Sequence, residues 1–311
     1  MLFAAGSALD HVLDTFHWHF LEEYLHVSVP LVSFHIGSQE FGLSKYSILM
    51  FLAAGIIAWI YIPLAKKIQT GEAPTGRLWN LFEALLTFIR DNVAKPYIGK
   101  DADQYVHYLW TVFLFVLVCN LLGMIPFMGS PTASFTVTSV LAASVFIFIH
   151  VNSMMKYGWK NHLLAFAPHL DLPIALKIPI LVMLWPIEFG GLMLKCFVLS
   201  VRLFANMFAG HIVLGTIMLF IPLVRNMGEP LESTVTLASV LGVLALSFLE
   251  LFVAFLQAFL FAFLTALFLG GVLEHAEHAA HAGAHVDHHA EPPDAGTDDV
   301  HIHPTPSEHA H

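Results

Sequence analysis

The sequence predicts an all-α polytopic membrane protein, and its composition and the lengths of its apolar runs support that fold class. Of its 311 residues, 57% are hydrophobic and only 12% are charged, whereas a typical soluble domain carries about 25% charged residues. The mean hydropathy is +0.73, and several apolar runs are long enough to cross a bilayer. These features exclude a disordered chain, a nucleic-acid binder and an ordinary soluble enzyme of this size.

Three of the apolar runs have the length of ordinary transmembrane helices. A spanning helix needs about 20 apolar residues, and residues 46–65, 106–127 and 134–155 meet this without any Lys, Arg, Asp or Glu. Residues 78–95 differ, because polar and apolar side chains fall on opposite sides of a helix. That pattern is typical of an interfacial amphipathic helix. A helix packed on a soluble domain is the alternative, but the chain offers no such domain.

Two further apolar segments, 178–224 and 232–273, are too long for simple spans. A 40-residue helix is about 60 Å long, whereas the hydrocarbon core is about 30 Å thick. Such a segment either turns back halfway or lies as one steeply tilted helix. Residues 249–257 contain no Gly, Pro, Asn or Asp, which are the residues that a turn needs. We therefore expect a steeply tilted long helical hairpin, with its turn at residues 226–230.

The two ends of the chain and the distribution of basic residues predict the topology. Lys and Arg cluster after the first and third spans, and such clusters mark the cytoplasmic side. Residues 1–45 are then an extracytoplasmic N-terminal segment, and the C-terminus is cytoplasmic. Residues 274–311 form a His-rich acidic tail with ten His, eight Asp or Glu and no Lys or Arg, which we expect to be disordered.

Ionisable and polar side chains occur inside the two long arms, where a charge costs about 2.5–3.5 kcal/mol. Glu188, Lys195 and Arg202 are seven residues apart and share one helix stripe, and Glu250 and Gln257 form another on the second arm. A buried salt bridge between Arg202 and Glu250 would be a purely structural explanation. The polar set is larger than one pair, and such sets on facing helices usually mark an ion path. Its members are Glu188, Lys195, Arg202, Asn206, His211, Glu250 and Gln257.

Several motifs resemble subunit a of F-type ATP synthases. Residues 200–211 read Ser-Val-Arg-Leu-Phe-Ala-Asn-Met-Phe-Ala-Gly-His, which is similar to that family's R-L-x-x-N-x-x-A-G signature. Residues 120–126 resemble its N-L-L-G-x-x-P, residues 131–133 its P-T-A, and residues 256–259 its L-Q-A-F. The similarity covers about 46–273.

The resemblance implies the stator subunit of the FO sector, with two offset half-channels that carry protons to and from the carboxylates of the c-ring. Arg202 stands at the family's essential arginine, which keeps a ring carboxylate ionised and blocks a leak between the half-channels. Asn206 and Gln257 match polar positions near this arginine. The resemblance also implies no cofactor and no catalytic site of its own.

The same resemblance assigns residues to each half-channel. His211 and Glu250 match positions of the outer half-channel, and Glu188 matches an acidic position of the inner one. Two further positions, Lys195 and Asn120, match the family less specifically. Ser134 stands where some family members have Asp, so the outer polar path is expected to differ in detail here. Of the twenty histidines, only His211 is expected on the proton route. His150, His162 and His169 flank the inner end of the third span and are interpreted as interfacial residues.

The implied partners are the c-subunit ring, the peripheral-stalk b subunits, the lipid bilayer and, indirectly, the F1 sector, with no nucleic acid. The implied location is the energy-coupling membrane, in a bacterium the inner membrane. A secondary ion transporter or channel is the alternative, but such proteins tend to show inverted repeats and broken helices, which this sequence lacks. A pH-responsive tail is one alternative to disorder, because histidine ordinarily titrates near pH 6.5. His-rich tracts also bind Zn or Ni, so the tail offers a speculative metal site, although none is expected in the membrane domain. Its ligands would be His275, His278, His281 and His285.

Overall fold

The computed structural model confirms the predicted fold class, since five of its helical stretches are long and apolar enough to cross a membrane. Many of the largest apolar side chains on these stretches are exposed, Trp59 and Phe252 among them, as expected for surfaces that face lipid. The structure describes residues 33–36, 39–42, 45–69, 76–125, 129–165, 174–224, 228 and 230–288.

A short antiparallel β-hairpin precedes the first membrane helix. Strand β1 (Ser33–Ile36) pairs with β2 (Gln39–Gly42), and these are the only strands in the ranges given above. The hairpin belongs to the segment predicted to be extracytoplasmic, whose first 32 residues lie outside the described part. Helix α1 (Lys45–Gln69) follows and contains the predicted span 46–65.

The predicted interfacial helix and the segment that follows it are linked to the second span by two side-chain hydrogen bonds. Trp110 Nε1 donates a hydrogen bond of 2.8 Å to the carbonyl of Leu86, and Arg90 Nε donates one of 2.7 Å to Asp103. The chain reverses at Gly99, whose φ of 73° is left-handed and suits glycine. The elements in order are α2 (Arg77–Ile89), a π-helical segment (Arg90–Ala94), α3 (Lys95–Ile98), a 3₁₀ turn (Gly99–Asp101) and α4 (Ala102–Gly123).

The second and third spans are helices whose ends differ from the predicted ones. Helix α4 ends at Gly123, four residues before the predicted 127, because the chain folds tightly there and a Cβ on Gly123 would overlap the side chain of Ser130. Helix α5 (Phe135–Ala165) extends ten residues past the predicted 155, with a break at Gly158, where φ is 82°. Lys156 forms an ion pair with Asp101, which joins the end of α5 to the start of α4.

The long hairpin has the form that its lack of turn residues predicts. Its first arm is α6 (Ile174–Met218), followed by the short α7 (Phe220–Val224), and its second arm is α8 (Leu231–His288). Helix α8 contains 58 residues, which corresponds to about 87 Å. It continues well beyond residue 273, so the tail is helical through His288, contrary to the disorder expected there. Five alanines between residues 276 and 284 account for this, because alanine is the strongest helix former.

The core lies where α8 crosses α4 and α5. Ala254, Ala258, Ala262 and Ala266 are fully buried and recur every four residues, so one side of α8 is a row of small side chains. Small residues let membrane helices approach closely, and Phe113 of α4 packs into the contact with its ring 6.0 Å from that of Phe255. Because this side of α8 packs against α4 and α5, the rotation of α8 about its own axis is fixed, and with it the face that α8 turns toward α6.

Candidate ion-translocation site

The two arms of the hairpin lie antiparallel and side by side, and this brings four of the seven predicted polar residues into two groups. Lys195 Nζ lies 5.6 Å from the centre of the Phe268 ring. A Cβ built on Gly210 would lie 2.8 Å from Glu250 Oε1, and one built on Gly242 would lie 3.9 Å from Ile217. Contacts therefore run along more than twenty residues of α6.

The first group lies in a cleft near the start of α6, which we call the Glu188 cleft. It encloses about 280 Å³. Glu188 and Lys195 contribute its charged groups from α6, and His275 contributes a third ionisable group from α8. All three side chains are exposed. The other lining residues are Leu192, Leu267, Phe268, Gly271 and Val272.

The second group lies farther along the hairpin in a smaller cavity of about 190 Å³, which we call the Glu250 cavity. Asn206 and Glu250 supply its polar groups, and its remaining lining is Ala209, Gly210, Val213, Leu214, Leu246, Leu249 and Val253. Glu250 is 7% exposed, and its buried Oε1 makes no hydrogen bond to the described residues. A buried polar atom needs a partner, so this oxygen is placed to bind water or a proton that enters the cavity.

Arg202 lies between the two groups, on the stripe that Glu188 and Lys195 also occupy. At 1.5 Å per residue it is about 21 Å along the helix from Glu188 and about 6 Å from Asn206. Its side chain is exposed. No ion pair joins Arg202 to Glu250, both of which the structure describes, so the salt bridge considered as a structural explanation is not formed.

Gln257 and His211 do not join either group. Gln257 is 3% exposed and lies on the face of α8 that enters the core, two turns after Glu250. Its Nε2 is buried without a hydrogen bond to the described residues. His211 is half-buried and follows Gly210, the residue that touches Glu250, but does not line the Glu250 cavity.

Asn120 joins three segments of the core through its amide. Its Nδ2 donates to the carbonyl of Ala254 at 3.3 Å, and its Oδ1 accepts a hydrogen bond of 2.7 Å from Thr132. Thr132 in turn lies 2.7 Å from the hydroxyl of Ser130. This arrangement fixes α4 and residues 130–132 against α8 near Glu250. Ser134, half-buried at the end of the same turn, donates its backbone N–H to Pro131.

A set of hydroxyl groups between α5 and α6 was missed by the sequence reasoning. Ser200 donates to Thr138 at 3.2 Å, and its hydroxyl lies 3.3 Å from that of Ser139. Ser200 and Thr138 are buried. Ser200 is two residues from Arg202 and on another face of the helix, so these bonds help to fix the rotation of α6 about its axis. These hydroxyl groups are dispersed among apolar residues, and their spacing in the sequence does not predict that they lie together.

Near the end of α5, His162 is buried and His150 is half-buried, and their interpretation as interfacial residues stays a prediction. His169 lies outside the described residues. His162 is 4% exposed, and its Nδ1 lies 2.8 Å from the hydroxyl of Ser153. Its ring is 5.2 Å from that of His150, which is 5.3 Å from Phe189 of α6. Burial lowers the pKa of His162 below the usual value of a histidine. The break at Gly158 brings His162 back against the bundle.

Nothing in the described part of the chain groups three or more His, Cys, Asp or Glu side chains in a way that would hold a metal ion. His275 and His278 are exposed, and the side chains of His281 and His285 lie outside the described residues. Metal binding by the four tail histidines therefore stays a prediction.

Comparison with known proteins supplies the family. The model of a family described as ATP synthase A chain matches residues 47–270. The chain is 34% identical over 287 residues to ATP synthase subunit a of Chloroherpeton thalassium, covering 91% of this chain and 81% of that protein. It is 37% identical over 262 residues to ATP synthase subunit a of Myxococcus xanthus, covering 84% of this chain and 80% of that protein.

The chain belongs to the ATP synthase A chain family. It is a multi-pass subunit of the energy-coupling membrane, with a role in ATP synthesis and proton transport. The range that matches the family model includes Glu188, Arg202 and the whole Glu250 cavity, and it ends before His275.

Proposed function

We propose that this subunit forms two offset half-channels that carry protons to and from the carboxylates of a c-subunit ring. The observation that carries the proposal is the position of the exposed Arg202 between the Glu188 cleft and the Glu250 cavity. Two cavities on one hairpin that each contain a carboxyl group and are separated by a fixed cation would give access from two sides without a continuous path. Glu and His exchange protons at suitable pH, whereas Arg keeps its proton.

Arg202 needs an anionic partner, and the described residues of this chain do not supply one. An arginine within a bilayer is costly unless it is paired or reaches water. The c-ring carboxylate that the family resemblance implies would meet this need each time the ring turns. Pairing with Arg202 would keep that carboxylate ionised while it passes between the two half-channels.

The proposed route runs through the two groups in order. A proton enters from outside through the Glu250 cavity, past Glu250 and His211, and neutralises a ring carboxylate. After nearly a full turn through lipid, the carboxylate reaches the Glu188 cleft and releases the proton to the cytoplasm. Each charge moved yields about 2.3 kcal/mol per 100 mV. This direction follows from the N-outside, C-inside topology that the basic residues favour.

The role of the chain within the complex follows from this route. It has no catalytic site of its own, and it acts as the stator against which the c-ring turns. Its partners are the c-ring, the peripheral-stalk b subunits and, indirectly, the F1 sector. In a bacterium the membrane would be the inner membrane.

The experiment is ATP-driven proton pumping in inverted vesicles that carry the Arg202→Ala complex. We expect pumping to be abolished while the complex still purifies with its ring, because the separator and the carboxylate partner are both lost. Arg77→Ala is the matched control, since Arg77 is an exposed arginine at the start of α2, and it should pump normally. Normal pumping by Arg202→Ala would overturn the proposal.

A further inference from the structure

The last helix extends past the range that matches the family model, and its extension reaches the Glu188 cleft. Helix α8 continues to His288, whereas the match ends at residue 270. His275 lies one turn beyond Gly271 and lines the cleft with Glu188 and Lys195. The sequence had assigned this histidine to a tail outside the mechanism.

The three ionisable groups of the cleft differ in what they can do with a proton. Lys195 lies over the Phe268 ring at 5.6 Å, a position in which the ring face attracts its positive charge. A carboxylate and an imidazole can each accept and return a proton, and histidine is the side chain that ordinarily does so near neutral pH. The rest of the lining is apolar or glycine. Glu188 and His275 are thus the two lining side chains suited to exchange protons.

We propose that His275 is the proton acceptor at the mouth of the Glu188 cleft and transfers protons between Glu188 and the cytoplasm. The inference rests on the proposed function, in which Glu188 receives the proton that a ring carboxylate releases. Glu188 passes this proton to an imidazole nitrogen of His275, directly or through water, and becomes a carboxylate again. The imidazolium then gives the proton to bulk water or buffer and returns to its neutral form. The cycle leaves both side chains unchanged.

The charges around His275 are compatible with this cycle. From α6, Glu188 brings one acidic group to the cleft and Lys195 brings one basic group. On its own helix His275 is followed by His278 and flanked by the exposed Glu274. The segment packed against α8 at Gly270 contributes the backbone of Tyr97, with Lys95 nearby in sequence and paired to Asp91.

The test compares His275→Ala with His278→Ala in inverted vesicles, where the cytoplasmic face is accessible to added buffer. His278 is a matched control, because it is an exposed histidine on the same helix that does not line the cleft. The readouts are ATP-driven pumping and passive proton flux after removal of the F1 sector, each measured against pH in weakly buffered medium. Recovery of each complex with its ring shows that the variant has assembled.

We expect His275→Ala to slow proton flux by roughly three- to tenfold, less than the full effect of a general acid–base group because water can partly replace it. A high concentration of imidazole in the outer medium should restore most of the rate, since free imidazole can do the work of the missing side chain. His278→Ala should behave as the unaltered protein with and without imidazole.

Two outcomes would overturn the inference. Equal flux in His275→Ala and His278→Ala at every pH would mean that His275 carries no protons. A loss that imidazole does not relieve would mean that its effect is structural. Both outcomes leave the proposed function intact as long as Arg202→Ala abolishes pumping, whereas pumping by Arg202→Ala would remove the proposed function itself.

Discussion

The Glu188 cleft and the Glu250 cavity lie on the same hairpin but present opposite chemistry. The cleft is the larger, about 280 Å³ against about 190 Å³, and its three ionisable side chains are exposed. The cavity holds one carboxyl, 7% exposed, beside the amide of Asn206 in an otherwise apolar wall. The ionisable groups of the cleft lie on the surface of the chain, whereas the buried Oε1 of Glu250 depends on a partner that enters the cavity.

Because of this difference, we expect the Glu188 cleft and the Glu250 cavity to differ in how well they tolerate substitutions. Several groups share the cleft, so the loss of one leaves others in place. In the proposed route, Glu250 is the one carboxyl group of the cavity lining that would exchange protons. Substitutions at the cavity should therefore cost more proton flux than comparable ones at the cleft.

The largest effect is expected from Glu250→Leu. This change removes the only carboxyl of the cavity lining, and we expect proton flux in vesicles to fall about tenfold or more, as for the loss of a general acid–base group. Glu232→Gln is the matched control, because Glu232 lies in the first turn of the same helix and outside the cavity. A loss in Glu250→Leu no greater than in His275→Ala would remove the proposed inequality between the two ends.

A smaller effect on flux is expected from Gly210→Ala. The new Cβ would lie 2.8 Å from Glu250 Oε1 and 3.2 Å from its Cδ, so the carboxyl group must shift within the cavity. Flux should fall severalfold with normal assembly, since a flexible side-chain end can move. Gly55→Ala in α1, where a Cβ meets nothing within 4 Å, should match the unaltered protein. Unchanged flux in Gly210→Ala would show that the position of this carboxyl is unimportant.

Asn120→Leu tests whether the wall of the Glu250 cavity is held by the hydrogen bonds of this amide. The change leaves the carbonyl of Ala254 and the hydroxyl of Thr132 without their partner, and we expect a loss of about 1–3 kcal/mol in stability. The measurement is the temperature at which the buried Cys119 and Cys196 react with a thiol dye. Thr111→Val is the control, since Thr111 is exposed and bonds only within its own helix. Equal transition temperatures would contradict this role.

The smallest effect concerns His162, which is buried near the end of α5 and outside both cavities. Because burial lowers its pKa, the folded state favours the neutral imidazole more than the unfolded state does. Its contribution to stability is complete above the unfolded value of about 6.5 and is lost as pH falls toward the lowered folded value. The thermal stability of the complex should therefore fall on acidification by less in His162→Gln than in the unaltered protein. Parallel pH dependences would exclude His162 as a cause.

The fold followed from the sequence wherever length and the lack of turn residues decided it. Residues 249–257 contain nothing that could turn the chain, and α8 is one unbroken helix. Helix α6 also runs through Pro186, although a proline commonly kinks or ends a helix. The early end of α4 and the helical start of the tail were predicted wrongly. The early end of α4 depends on the contact between Gly123 and Ser130. The helical start of the tail depends on its alanines, whose helix propensity was given less weight than the high histidine content.

The site followed from the sequence only where spacing along one helix was sufficient. Seven-residue steps correctly put Glu188, Lys195 and Arg202 on one stripe. Which of them share a cavity depends on the pairing of α6 with α8, and sequence spacing does not contain that pairing. For this reason, the sequence did not predict that His275 lines the cleft or that Gln257 lies on the buried face of its helix.

We propose that the Glu188 cleft and the Glu250 cavity open to opposite faces of the membrane, with Arg202 between them. This arrangement is tested most directly by the reaction of an impermeant thiol reagent with Gly271→Cys and Val213→Cys, each in a background without Cys119 and Cys196. Gly271 lines the cleft and Val213 lines the cavity. We predict that Gly271→Cys reacts only from the cytoplasmic face and Val213→Cys only from the opposite face. Reaction of both variants from the same face would contradict the account.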